Sequence, residues 1–322
     1  MRTSRHIEKL RIPRRLACRT LAAVVAVVWL ALAPIAAQDV PRTAWGDPDL
    51  NGIWSYASLT PLERPDSLDG RELYTEEEAA QRNASVLIDR PPVPGQVGSY
   101  NALWFDRGEV SSDMRTSLIV DPPDGRLPLR QETRDRMAAA TEYRLEHPAD
   151  TWLDRYLWDR CLTYHGVPPI STGYNNTYHI AQTPDHVAIL VENIHDVRII
   201  PLDGRPRLRD TIAQWNGDSR GHWEGNTLVV ETRNFSEKTV HRFPSSPNTV
   251  AVERYTRVAD DMIDYQFTIK DPTVYAASWT ATRPMPRLDN YVIYEYACHE
   301  GNYAMTNILN SERFKERTSG AP

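Results

Sequence analysis

VAVERYTRVADDMIDYQFTI, residues 250–269, decides the fold. Residues 250–258 and 262–269 are two runs rich in branched and aromatic side chains, separated by the polar turn Ala259-Asp260-Asp261. That arrangement predicts a β-hairpin. The same two-residue period appears on both sides of it. Val187, Ile189 and Val191 alternate in one predicted strand, and Leu228 and Val230 lie in another after the turn Glu224-Gly225-Asn226. Val292, Tyr294, Tyr296 and Cys298 alternate against Tyr291, Ile293, Glu295 and Ala297, which predicts a last long strand. Further upstream, Asp47 to Ser55 reads as a turn leading into a strand. Ser117 to Val120 reads as another strand, ended by Asp121-Pro122-Pro123-Asp124-Gly125. Many antiparallel strands at short spacing predict a mainly β fold, a barrel or a sandwich. Two helices are expected in the N-terminal half. One begins at Thr75, where Thr75 and Glu78 have capping-box spacing. The other covers Gln131 to Leu145, free of Pro and Gly and stopped before Pro148.

The first 37 residues have a different character. Seven basic side chains, from Arg2 to Arg19, precede an uncharged apolar run from Thr20 to Ala37 that ends in small residues. This is the pattern of a secretory signal peptide. We therefore expect residues 1–37 to be a cleaved leader and the protein to be periplasmic or secreted. Residues 38–150 would form an N-terminal segment with the first strand and the helices. Residues 151–322 would form an antiparallel β body, the two parts making one integrated domain over 38–322. The whole chain carries a net charge of −6, and the leader is strongly positive, so the remainder is more acidic still. Such a balance argues against a nucleic-acid partner. No later segment is long and apolar enough to span a bilayer, so no membrane partner is expected after cleavage.

Of three cysteines, Cys161 and Cys298 lie outside the leader. An even count in an exported chain predicts one disulfide. Closing so long a loop is worth about 4–5 kcal/mol in the chain-entropy model. The bond would also bring His165, four residues after Cys161, near His299 and Glu300, which directly follow Cys298. Two imidazoles and a carboxylate in one neighbourhood make the best-motivated catalytic cluster. A zinc site is the rival reading of the same residues. Adjacent strand positions point to opposite faces, so Cys298 and His299 are poorly placed to share one ion, and no metal is expected.

Other candidates are local. His195-Asp196, with Arg198 close by, follows a strand and places an imidazole that titrates near neutral pH beside a carboxylate. Asn193 and Asp196 equally suit a turn. Arg220 and Trp223 could hold an anionic or flat ligand. Tyr174 and Asn175 open a run rich in hydrogen-bonding side chains that suits a small polar ligand or a turn. His186 and His241 read as surface residues. There is no Gly-x-Ser-x-Gly elbow, phosphate loop or dinucleotide fingerprint, and no cofactor is expected.

Gly52-Ile53-Trp54 resembles the Gly-x-Trp signature at the first strand of lipocalins, which implies a lipocalin- or calycin-like barrel with the Trp plugging one end. Longer strings resemble a family of uncharacterised exported bacterial proteins. These are Trp45 to Trp54 (WGDPDLNGIW), Ser117 to Pro128 (SLIVDPPDGRLP), Gly217 to Phe235 (GDSRGHWEGNTLVVETRNF) and Tyr296 to Asn302 (YACHEGN). His222 departs from the pattern of its string. The resemblance spans nearly all of the chain after the leader and implies one integrated unit, with no catalytic assignment. Two functions are therefore expected to compete. One is a β-barrel holding a small apolar or aromatic ligand. The other is an exported hydrolase or lyase in which His299 is the acid or base, oriented by Glu300 or His165.

Overall fold

The computed structural model describes residues 40–68, 70–86, 88, 105–164 and 166–319. The expected leader lies outside them. Val40–Pro322 forms one compact unit.

The 250–269 hairpin is present as β8 (Val250–Ala259) and β9 (Met262–Lys270), with Tyr255 opposite Tyr265 and a bulge between Arg257 and Ala259. It lies in a six-stranded sheet of order β2-β10-β9-β8-β7-β6, completed by β2 (Ile119–Asp121), β6 (Asp218–Glu224), β7 (Thr227–Arg233) and β10 (Trp279–Pro286). A four-stranded sheet of order β1-β3-β4-β5 is built from β1 (Gly52–Ser55), β3 (Thr177–Gln182), β4 (His186–Val191) and β5 (Val197–Pro201). Every pairing within both sheets is antiparallel. β1 and β2 come from before residue 150, yet each pairs with a strand from after it.

The two sheets share one core. Trp54, Tyr178, Ile180, Val187, Ile189 and Ile200 come from the smaller sheet, and Leu228, Val230, Tyr255, Tyr265, Phe267 and Trp279 from the larger. They form a sandwich and not a closed lipocalin-like barrel. On one side the backbone links between them among the described residues are the isolated Trp54–Arg287 bridge and the Leu288 amide donating to the Ile53 carbonyl. On the other side the edge strands β5 and β6 lie near each other without pairing. Gly221 on β6 permits that approach, because a Cβ there would meet Leu202 and Ile200 at 2.7 and 2.9 Å.

Two expectations change. Residues 291–297 form no regular structure and pair with no strand among the described residues, and Cys298 already lies in a turn. Tyr291, Val292 and Tyr294 are all exposed, so the segment has no apolar face for a sheet to cover. The last strand is instead β10. Its inward residues are Trp279, Ala281, Arg283 and Met285, and the charge together with Pro284 and Pro286 conceals the alternation. The prolines fit because β2 pairs only near Thr280 and Ala281, which leaves their end of β10 without a second neighbour. The described residues also hold three α-helices against the two expected. α1 (Glu76–Ser85) and α2 (Gln131–Glu146) occupy the expected spans, and α1 carries the capping box between Thr75 and Glu78. The third, α3 (Ala304–Ser319), buries none of its side chains.

Charges occupy the centre of the sandwich. On β8 the inward positions are Ala251, Glu253, Tyr255 and Arg257, while Val250 and Val252 take the opposite face. Arg198 from β5 crosses between the sheets and grips Glu253 with both terminal nitrogens, at 2.5 and 3.3 Å. Glu253 also accepts from the hydroxyls of Tyr255 and Tyr265 at 2.8 and 2.9 Å. Arg283 is buried without an acid partner. It donates to the Tyr56 and Pro169 carbonyls, and its guanidinium lies over the Tyr56 and Tyr265 rings. Burial lowers its pKa, against the weaker opposing pull of the tyrosines around it.

Breaking a buried ion pair from one side leaves a lone charge, which costs about 3–5 kcal/mol. Glu253→Leu should therefore destabilise by that order. Arg198→Met combined with Glu253→Leu should be markedly milder. Urea denaturation midpoints of the two variants provide the comparison.

Candidate functional site

The four residues Asn193 to Asp196 turn the chain from β4 into β5. Val191 and Asp196 close the turn, the Val191 amide donating to the Asp196 carbonyl at 2.8 Å. Inside it, Ile194 and His195 are both left-handed, with φ of 59° and 45°. Such a backbone disfavours any residue with a Cβ and is worst for a branched one, costing on the order of 1–3 kcal/mol each. Burial of Asn193 and Ile194 and the amide of Glu192 donating to Thr177 hold the turn in place.

The disulfide fastens a second segment over this turn. Cys161 and Cys298 are bonded, with Cα atoms 5.7 Å apart. Tyr296, two residues before Cys298, offers its carbonyl to His195 Nδ1 at 3.1 Å. Tyr291 donates its hydroxyl to the buried Glu192 at 2.7 Å, and its own pKa is pushed up by burial and by that carboxylate. Asn302 reaches Cys161 Sγ at 3.2 Å, and Arg313 of α3 holds the Asp150 carbonyl. Residues 291–319 thus form a strap with no fully buried residue, tied down by one covalent bond, a few polar contacts and half-buried side chains such as Ile293, Met305, Ile308 and Leu309.

On the other side of the turn, a cleft of about 770 Å³ opens between β5 and the segment leading into β6. Asp196, Trp215 and Asn216 line it, together with the outward face of β5, where Val197 and Ile199 are 58% and 53% exposed. Gly217 sets the close of the 205–217 loop: its φ is +68°, and a Cβ would meet the Arg233 carbonyl at 2.6 Å. The segment Ala213 to Trp215 is also the wall of a second open hollow of about 930 Å³ toward Pro247 and Thr249.

Asp196 is the chemically distinctive group of the cleft. Burial raises its carboxyl pKa, against the opposing pull of hydrogen bonds from Thr163 and Asn216 and of the neighbouring His195. Asn216 Nδ2 donates to it at 3.3 Å. A half-buried carboxyl that is held in place, faces a cleft and clings to its proton can bind a donor group or act as an acid.

The other sequence candidates fall elsewhere. His165 lies outside the described residues. His299 and Glu300 sit exposed on the turn after Cys298 and do not line the cleft. Arg220 does line it, but its donors are taken by Asp218 and by the carbonyls of Arg205, Pro206 and Ser219. Trp223 packs half-buried against the core. Tyr174 stacks on Tyr164, and left-handed Asn175 offers its carbonyl to Tyr56. His186 sits beside Arg205 at 3.1 Å. His241 is not a surface residue. It is 8% exposed between Phe235 and Phe243, and burial lowers its pKa to about 4. The aromatic neighbours at 235 and 243 were the available signal. Trp215 and Asn216, just before the Gly217–Phe235 string, carried no motif that marked them.

No family model matches the chain, and no curated protein is significantly similar to it.

Two measurements follow from this geometry. Cys298→Ser, or reduction of the disulfide, should raise amide exchange throughout residues 291–319 while β8 and β9 stay protected. Asp196 has a folded-state pKa above its unfolded value, so its stabilising contribution is full below about pH 4 and is lost as pH rises through the folded value. Asp196→Asn should therefore match the parent in acid and exceed it in stability at pH 7, read as melting temperature against pH.

Proposed function

We propose that this is an exported protein that binds a small ligand in the cleft between β5 and β6, one with an apolar or aromatic face and a polar edge. The observation that carries the reading is the pairing, in one cleft, of the Asp196 carboxyl with the apolar wall of Val197, Ile199 and Trp215. Sites of this kind are mostly apolar, with a few placed polar groups. The interior between the sheets is filled by side chains, so the ligand belongs in the edge cleft and not in a barrel mouth. Export agrees with the disulfide, and no helix among the described residues is long and apolar enough to cross a membrane.

A hydrolase or lyase is the second reading, and the raised pKa of Asp196 is what favours it. A carboxyl still protonated above the usual range can give a proton to a leaving group. Asn216, which donates to Asp196, would flank the reacting centre.

Native mass spectrometry of the oxidised protein, purified from a host that exports it, should retain a small molecule. Asp196→Ala and Trp215→Ala should each weaken its binding at least tenfold, and His299→Ala should leave it unchanged. Loss of binding in His299→Ala, with no effect of the two cleft variants, would overturn the assignment of the cleft.

A further inference from the structure

Behind Asp196 lies a small, largely enclosed chamber that shares Asp196, Arg198 and Asn216 with the cleft. Thr163, Tyr178, Asn193, Asp196, Arg198 and Asn216 supply its polar wall, and Val167, Ile189 and Val191 the rest. Its free volume is about 10 Å³, room for the centre of one water-sized guest. Three buried polar atoms of this wall have no partner among the described residues: Asn193 Nδ2, Asn193 Oδ1 and Arg198 Nε. Asn193 is 1% exposed and Arg198 8%. Buried polar groups in folded proteins are paired with protein or with ordered water, so three together call for a guest.

The chemistry of the wall selects among guests. Asn193 offers a donor and an acceptor, Arg198 Nε a donor, and Asp196 a carboxyl. A cation would meet the guanidinium of Arg198. An anion would meet the carboxyl of Asp196. Only a neutral group that both donates and accepts satisfies all of them at this size.

We infer that the chamber is an internal water site, whose single resident water bridges Asn193, Arg198 Nε and the Asp196 carboxyl. Arg198 spends its other two nitrogens on Glu253. The water therefore joins the acid of the cleft to the ion pair at the centre of the sandwich. Its hydrogen bond to Asp196 favours the ionised carboxylate, and so opposes the upward push of burial. This site does not depend on what the cleft binds.

The test combines a crystal structure at atomic resolution with oxygen-17 relaxation dispersion and carbon-13 NMR of the Asp196 carboxyl. The wild-type protein should show one water within hydrogen-bonding distance of Asn193 and Arg198 Nε. Asn193→Leu, which fills the space with an apolar group, should lose it. The count of long-lived waters should fall by one, and the proton affinity of Asp196 should rise about tenfold. An empty chamber in the wild-type crystal, or an anomalous scatterer such as chloride there, would overturn the inference. So would an unchanged water count in a folded Asn193→Leu protein. Should that variant fail to fold, the wild-type crystal decides alone.

Discussion

The grip of Arg198 on Glu253 is the constraint on which the rest of this structure depends. It is the charged contact that crosses from the small sheet to the large one, and it lies where water cannot replace either partner. In such a place an ion pair is poor at adding net stability but unforgiving about geometry. Two oxygens must face two nitrogens, and two tyrosine hydroxyls must converge on the same carboxylate. A slip of β5 or β8 by one residue would turn one of the charges outward and leave the other stranded. Alternation of buried side chains already opposes a one-residue slip, and this hydrogen bonding adds to it.

The same side chain connects the scaffold to the site. Arg198 sits on β5 two residues after Asp196; its two terminal nitrogens hold Glu253 in the core, and the residue also lines the chamber behind the turn. Holding Arg198 therefore also holds the start of β5. That in turn holds a loop with two left-handed residues, which local preference alone would relax. From outside, the strap adds its contacts to His195 and Glu192. The turn is thus fixed from within by an ion pair and from outside by a disulfide-anchored segment, with Asp196 between them. Two left-handed residues are thereby held next to a carboxyl whose pKa burial has raised.

Much of this was legible from the chain, and the reasons differ by element. The β8–β9 hairpin, the α1 capping box and the pairing of Cys161 with Cys298 follow from local rules: alternation, cap spacing and cysteine number. The inward face of β8 did not follow, because Val250 and Val252 advertise the wrong face and only a partner on β5 makes Glu253 an inside residue. β10 was hidden in the same way by Arg283 and its prolines, and residues 291–298 imitated a strand because alternation was present without any face to bury. Of the candidate site, His195-Asp196 was readable as a titratable pair after a strand. Trp215 and Asn216 were not, since their role comes from an approach of β5 to β6 that Gly221 permits and no short motif encodes.

The disulfide has a role beyond the entropy of the unfolded chain. In the chain-entropy model a bond closing a separation of 137 residues contributes about 5 kcal/mol. That figure applies to the whole domain, yet the segment it anchors holds no fully buried residue. α3 has no buried side chain, and residues 291–298 pair with no strand. Without the bond, a few polar contacts worth about 1 kcal/mol each would oppose the entropy of some thirty ordered residues, and the strap would leave. The covalent tie is what makes so weakly packed a segment a permanent wall against the β4–β5 turn. Glu192, buried beneath the Tyr291 hydroxyl, is one of the groups against which the tie holds this wall.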